Sequence, residues 1–274
     1  MIKTSKINLR NHLISDLGIK HTDSVFLFSG MKGIGLFEGG PEGILEVFED
    51  TLTKGFLFIP TFSYSWSDGK DFDPLVSPAP LMGVIASSSI GRDGYKRTSN
   101  PNFSVSFLTQ GAGNDNQIIP TTTDVFGKGS IFHNIYRFKP HTKVLLLGGV
   151  FSDCGYRSTF IHTAQQLENA WYRYLKTFND PTGKSSNITQ FVRYFSQEEY
   201  KEVNGVNPIL DINFPITENF EMFSQDLEKL NLIRKAKFGY SNSRIVTVKD
   251  TIEVFRKGLK KNINYGLDEA TFKL

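Results

Sequence analysis

Residues 158–178 read STFIHTAQQLENAWYRYLKTF and hold His162, one of five histidines in the chain. An imidazole titrates near pH 6.5, so it can take up and release a proton under neutral conditions. In a helix the side chain three positions on shares the same face. Gln165 therefore lies beside His162, and its amide carbonyl can orient a ring N–H. Gln166 follows as a candidate substrate contact. Glu168, six residues after His162, points to another face, and Asp153 is the nearest carboxylate upstream. Three readings stand: a base without an adjacent acid, a structural histidine, or a relic of an active ancestor. The first is preferred.

A second candidate is FSGMKGIGLFEGGPEG, residues 28–43. It follows an apolar run, holds Gly30, Gly33, Gly35, Gly39 and Gly40, and leads into a helix. Glycines admit a ligand close to backbone N–H groups, and a helix start favours anions. Ser29 and Lys32 add a hydroxyl and a charge. No G-K-[ST] follows, so this is not a Walker loop, and no G-x-G-x-x-G fingerprint is present. The segment is either a plain turn or an anion site. Thr61 and Phe62 close another apolar run, a strand end where a site can form.

Other residues carry less. Cys154 is the single cysteine, which excludes an internal disulfide framework and a cysteine-rich zinc site. A lone cysteine is usually buried and inert. His133 and His141 read as loop or helix-end residues. SDGKDFD (67–73) has three aspartates without the spacing of a calcium loop. WYRYLKTF (171–178) is either a sugar platform or a packed helix end. Arg157 is either a surface arginine or a contact for a substrate or a donor phosphate.

Certain elements must position these side chains. Helix-like spacing covers 5–18, 39–52, 81–91, the stretch from 158, 218–232 and 248–262. Apolar runs read as strands over 24–30, 55–64, 102–111 and 141–152. The stretch 67–80 is a surface loop, and 179–217 is a hairpin or extended excursion. Buried strands followed by helices predict an α/β fold, one domain over 1–274. Its central sheet is largely parallel with helices on both faces, and its sites lie at the carboxyl ends of strands.

With 39% apolar and 22% charged residues, the chain can build a core. A net charge of +3 argues against nucleic acid as a partner. Nine lysines and arginines between 234 and 261 face only Asp250 and Glu253. That cluster is a solvated helix face or a surface for a phosphorylated ligand. No apolar run of about 18 residues and no signal-peptide core is seen, which predicts a cytoplasmic protein without membrane insertion.

The order of motifs resembles the aminoglycoside 3-N-acetyltransferase (antibiotic N-acetyltransferase) family. The order runs FSGMKGIG…EGG, IPTFSY, APLMG, KRTSNPNFS, FGKGSIF, KVLLLGG, then Thr159 three before His162. The likeness covers about residues 10–178 and resumes at GYSNSRIVTVKDTIEVF. It implies an acyl-CoA co-substrate, acetyl-CoA above all, no metal, and a free amine as acceptor. His162 falls at the family's base and Gln165 at its glutamate. Asn100 precedes Pro101 where the family has histidine, and Phe28-Ser29-Gly30 stands at its H-S-S.

NAWYRYLKTF and FVRYFSQ resemble the branch associated with surface polysaccharides, which implies an amino-sugar acceptor, free or nucleotide-linked. The resemblance thus implies an N-acyltransferase with catalytic His162 and Gln165. Ser29, Gly30, Lys32, Gly33, Gly35, Gly39, Gly40 and Thr61 lie towards the cofactor, and Phe62, Asn100, Arg157 and Gln166 towards the acceptor. The rivals are a member that binds sugar or CoA without turnover, and an aminoglycoside-modifying enzyme itself. A homo-oligomer is compatible with all three.

Overall fold

The computed structural model describes residues 2–111, 115–149, 158–205 and 212–272. Its frame is a seven-stranded sheet. In spatial order the strands are β10 (Arg234–Phe238), β11 (Ser241–Thr247), β7 (Lys143–Leu147), β2 (Val25–Ser29), β4 (Phe56–Pro60), β6 (Val105–Thr109) and β5 (Tyr95–Arg97). β2 pairs in parallel with both β4 and β7, with Val25 opposite Lys143 and Ser29 opposite Leu147. The four outer pairings are antiparallel. Only β11 and β6 run against the common direction, so the sheet is mixed around a parallel centre.

The centre is apolar on both faces because both faces are covered. Val25 and Leu27 of β2, Leu57 and Ile59 of β4, and Leu145 and Leu147 of β7 point to one side. There they meet α1 (Lys6–Asn11), α3 (Gly40–Thr51) and α4 (Gly83–Ser89). A π-helical turn, His12–Asp16, continues α1, and α2 (Met31–Ile34) is one turn after β2. Phe26, Phe28, Phe58, Val144 and Leu146 point to the other side. They pack on α5 (Ile131–Phe138), α6 (Ser158–Leu167), α8 (Glu221–Lys229) and α9 (Val248–Lys261). Much of the phenylalanine content is spent here; Phe160 of α6 meets Phe26 edge-on at 5.1 Å and Phe132 at 5.8 Å. Helices thus cover both faces, as expected for the α/β class.

Smaller elements complete the chain. β1 (Lys3–Thr4) pairs with β3 (Leu36–Phe37), and α7 is Gln197–Asn204. β8 (Arg173–Phe178) and β9 (Ile188–Arg193) form a separate antiparallel hairpin. The helical reading of 171–178 is therefore corrected. Asn169 takes a left-handed φ of 51° and ends α6, after which the chain turns into an extended strand. The hairpin turn is held by the Asp180 carboxylate, which accepts the N–H groups of Thr182, Lys184 and Ser185. The ambiguous 179–217 region thus contains the second hairpin strand and α7.

The predicted loop over 67–80 is fastened by Arg97. Its guanidinium donates to the carbonyls of Ser77 (2.6 Å) and Thr61 (2.8 Å) and to the Thr61 and Ser104 hydroxyls, and lies over the Phe72 ring. The basic cluster of 234–261 is divided among β10, β11 and α9 rather than lying on one helix. Arg256 is 2.6 Å from Glu168, and Lys235 pairs with Glu228.

Candidate active site

His162 lies in the second turn of α6, with its backbone fixed by Phe160, Ile161 and Ala164 in the core. The ring is half-buried and meets Phe126 edge-on at 5.2 Å. It borders a cleft of about 460 Å³ whose walls include Tyr64, Phe103, Phe126, Phe178, Val192 and Phe195. Gln190, Lys176 and Arg193 of the hairpin add polar and cationic groups. Lys176 is paired with Glu199 at 3.0 Å, and Arg193 lies over the Phe195 ring.

Behind the ring stands a chain of hydrogen bonds. His162 Nδ1 is 2.9 Å from Gln165 Oε1. Gln165 is fully buried, and its Nε2 donates to Glu218 Oε1 at 2.7 Å and to the Tyr172 hydroxyl at 3.2 Å. Glu218 accepts two bonds from Arg173, from Nε at 3.0 Å and from Nη2 at 2.6 Å. Arg173 also donates to the Phe191 carbonyl at 2.7 Å. A carboxylate therefore does stand behind His162, one residue removed.

The electrostatics follow from this burial. Loss of solvent, then the Arg173 charge, pushes the His162 imidazole down to about 3, so it is neutral at pH 7. Burial works against the Glu218 carboxylate, but the charge of Arg173 and the hydrogen bonds outweigh it and keep the carboxyl below its usual range. Burial and the Glu218 charge raise the Tyr172 hydroxyl, which stays protonated.

The other predicted residues lie elsewhere. Gln166 donates to Asp124 rather than facing the cleft. Asn100 Oδ1 accepts the N–H groups of Asn102 (3.1 Å) and Phe103 (2.7 Å), and borders a separate cleft with Asp124. Phe62 is buried against Phe103 at 4.8 Å, and Thr61 is buried within the Arg97 network. Ser29, Gly30, Lys32, Gly33, Gly35, Gly39 and Gly40 do not border the His162 cleft. Gly30 and Gly33 are tightly packed: an added Cβ would stand 2.8 Å and 2.1 Å from the Gly148 carbonyl oxygen. Lys32 is exposed. Arg157, Cys154 and Asp153 lie outside the described residues. Among the other histidines, His12 is buried between Asp16 and Ser243, and His133 is in the first turn of α5.

The residues missed from the sequence were Glu218, Arg173 and Tyr172. Arg173 and Tyr172 lie within the quoted stretch, but Glu218 is 53 positions after Gln165. No local pattern joins it to them.

The family's sequence profile, described as aminoglycoside 3-N-acetyltransferase, matches residues 26–260. The chain belongs to the aminoglycoside 3-N-acetyltransferase family. Members of this family are N-acyltransferases, and so is this chain. Solved structures of the same fold include the apoenzyme of the aminoglycoside acetyltransferase AAC(3)-IVa. That chain is 19% identical with a TM-score of 0.75; the match covers 98% of this chain and 93% of that one. AAC-IIIb in a binary complex with CoASH is 19% identical with a TM-score of 0.69, covering 97% and 98%. YokD from Bacillus subtilis is 19% identical with a TM-score of 0.68, covering 94% and 99%. At such identities these structures share the fold. No curated protein matches the sequence. Among the described residues no cluster of histidine, cysteine and carboxylate side chains is arranged for a metal, and no helix is long and apolar enough to cross a membrane.

Proposed function

We propose that this member of the family moves an acetyl group from acetyl-CoA to the free amine of an amino sugar, with His162 as general base. The observation that carries this reading is the neutral His162 ring bordering a cleft, with its far nitrogen held by Gln165. The CoA-bound AAC-IIIb structure supports acetyl-CoA as donor by similarity. The amine nitrogen bonds to the thioester carbonyl carbon, and the carbon–sulfur bond breaks. The amine gives a proton to His162 Nε2, and the imidazolium passes that proton to the departing thiolate, which leaves as a thiol. An amine proton becomes far more acidic as the new bond forms, so an imidazole of low pKa is a competent acceptor at that stage. Holding both substrates in one cleft supplies much of the remaining acceleration.

The resemblance of NAWYRYLKTF and FVRYFSQ supports an acceptor destined for a surface polysaccharide. A second reading, in which the acceptor is an aminoglycoside, is favoured by the family match. The AAC(3)-IVa structures with a gentamicin and with apramycin are consistent with it. Against it, Lys176 and Arg193 border the cleft, and its Glu218 is already neutralised by Arg173. With Lys176 itself paired to Glu199, the cleft offers a polycation no unpaired carboxylate among its lining residues.

Thiol release from acetyl-CoA, followed with a panel of amino sugars and aminoglycosides, tests both. The expected result is turnover with an amino sugar, reduced at least about 100-fold in His162→Asn. Acetyl-CoA binding without turnover on any amine would sink the enzymatic reading, and turnover on aminoglycosides alone would favour the second.

A further inference from the structure

We infer that Glu218 is a positioning residue that fixes the tautomer of His162 through Gln165. This rests on the reading of His162 as the base. An amide can in principle be placed either way round, but its surroundings here permit one orientation. The Tyr172 hydroxyl donates to the Tyr265 carbonyl at 2.9 Å, so towards Gln165 it offers a lone pair. The Glu218 carboxylate holds no proton and also only accepts. Two acceptors on one side demand the amide NH₂ there. The Gln165 oxygen must then face His162, and an oxygen without hydrogen requires that Nδ1 carry the ring proton. Nε2 keeps its lone pair.

A glutamate at 165 would accept from Nδ1 directly and add a charge beside the ring. Here the charge is one residue further off, at Glu218, and it is neutralised by Arg173. The arrangement fixes the ring's direction while leaving its neighbour neutral. Gln165 and Glu218 act as a unit, with Arg173 keeping the buried carboxylate ionised.

The test uses paired variants, so that no buried charge is left without a partner. Arg173→Met with Glu218→Leu removes the charged and nearer of the two acceptors, leaving only the Tyr172 hydroxyl. The expected result is a fall in kcat of about tenfold to 100-fold with KM little changed. The ¹⁵N imidazole spectrum of His162 should pass from the Nδ1–H form to a mixture. Arg173→Met with Glu218→Gln restores an acceptor oxygen and should recover most of the lost kcat and the original tautomer. Equal kcat and equal spectra for the two pairs would overturn the inference. So would an Nε2–H tautomer in the unaltered protein, a measurement that needs no variant to fold. His162→Asn separates the two ideas. Full activity in that variant removes the base reading, whereas an inactive His162→Asn beside a fully active Arg173→Met/Glu218→Leu pair removes only the role of Glu218.

Discussion

At the scale of single residues, the chemistry depends on a histidine whose neutrality is enforced by burial. The same burial links stability to pH. In the unfolded chain His162 protonates near pH 6.5, but in the folded chain only around 3. The depressed folded pKa means that its stabilising contribution is complete above about pH 6.5 and declines as the pH falls towards 3. Urea unfolding between pH 6.5 and 5 should therefore show stability falling with pH. His162 contributes up to about 1.4 kcal/mol per pH unit to that slope. His162→Asn should flatten the slope by that share; an unaltered slope would mean the ring is solvated and ordinary. His12 differs: Asp16 and Ser243 occupy both its nitrogens and Phe238 stacks on it at 4.9 Å, which leaves it a packing role.

At the scale of elements, two connections matter, one beside the site and one in the sheet. One is the turn after α6, where Asn169 reverses the chain and sends Tyr172 and Arg173 back beneath His162. The other is the contact between the ends of β2 and β7. The Gly30 N–H donates to the Leu147 carbonyl at 2.9 Å, and Gly148 lies against Gly30 and Gly33. An alanine at Gly33 would press its Cβ into a backbone oxygen, which no side-chain rearrangement can relieve. Gly33→Ala should lower the unfolding free energy by roughly 1–3 kcal/mol, the usual cost of overpacking, in thermal or urea denaturation. An unaffected midpoint would show that the two strand ends can separate freely. The glycine-rich segment was legible as a tight connection after a strand; that its glycines serve approach between two backbones required the partner strand, more than 100 residues away.

At the scale of the whole molecule, both apolar layers share the strands β2, β4 and β7. Phe26 belongs to one layer and Leu27, its neighbour, to the other. Loss of either should weaken one common transition. Phe26→Ala and Leu27→Ala are each expected to cost about 2–5 kcal/mol. Tryptophan fluorescence and far-UV circular dichroism should give coincident midpoints in both variants; separate midpoints would mean that the layers unfold independently. Much of this frame follows from local pattern. The apolar runs expected as strands hold β2, β4 and β7, because their lengths and glycine or proline ends suit little else. His162 and Gln165 share a helix face because three residues nearly complete a turn. The motif order was enough to indicate the family. Local pattern could not separate strand from helix at 171–178, where aromatic and charged residues suit either and the left-handed Asn169 decides. Nor could it join Glu218 to Gln165. Hydrophobic periodicity records which way a side chain faces within its own element, whereas a buried hydrogen bond between distant segments exists only once the chain has folded and excluded water from both partners.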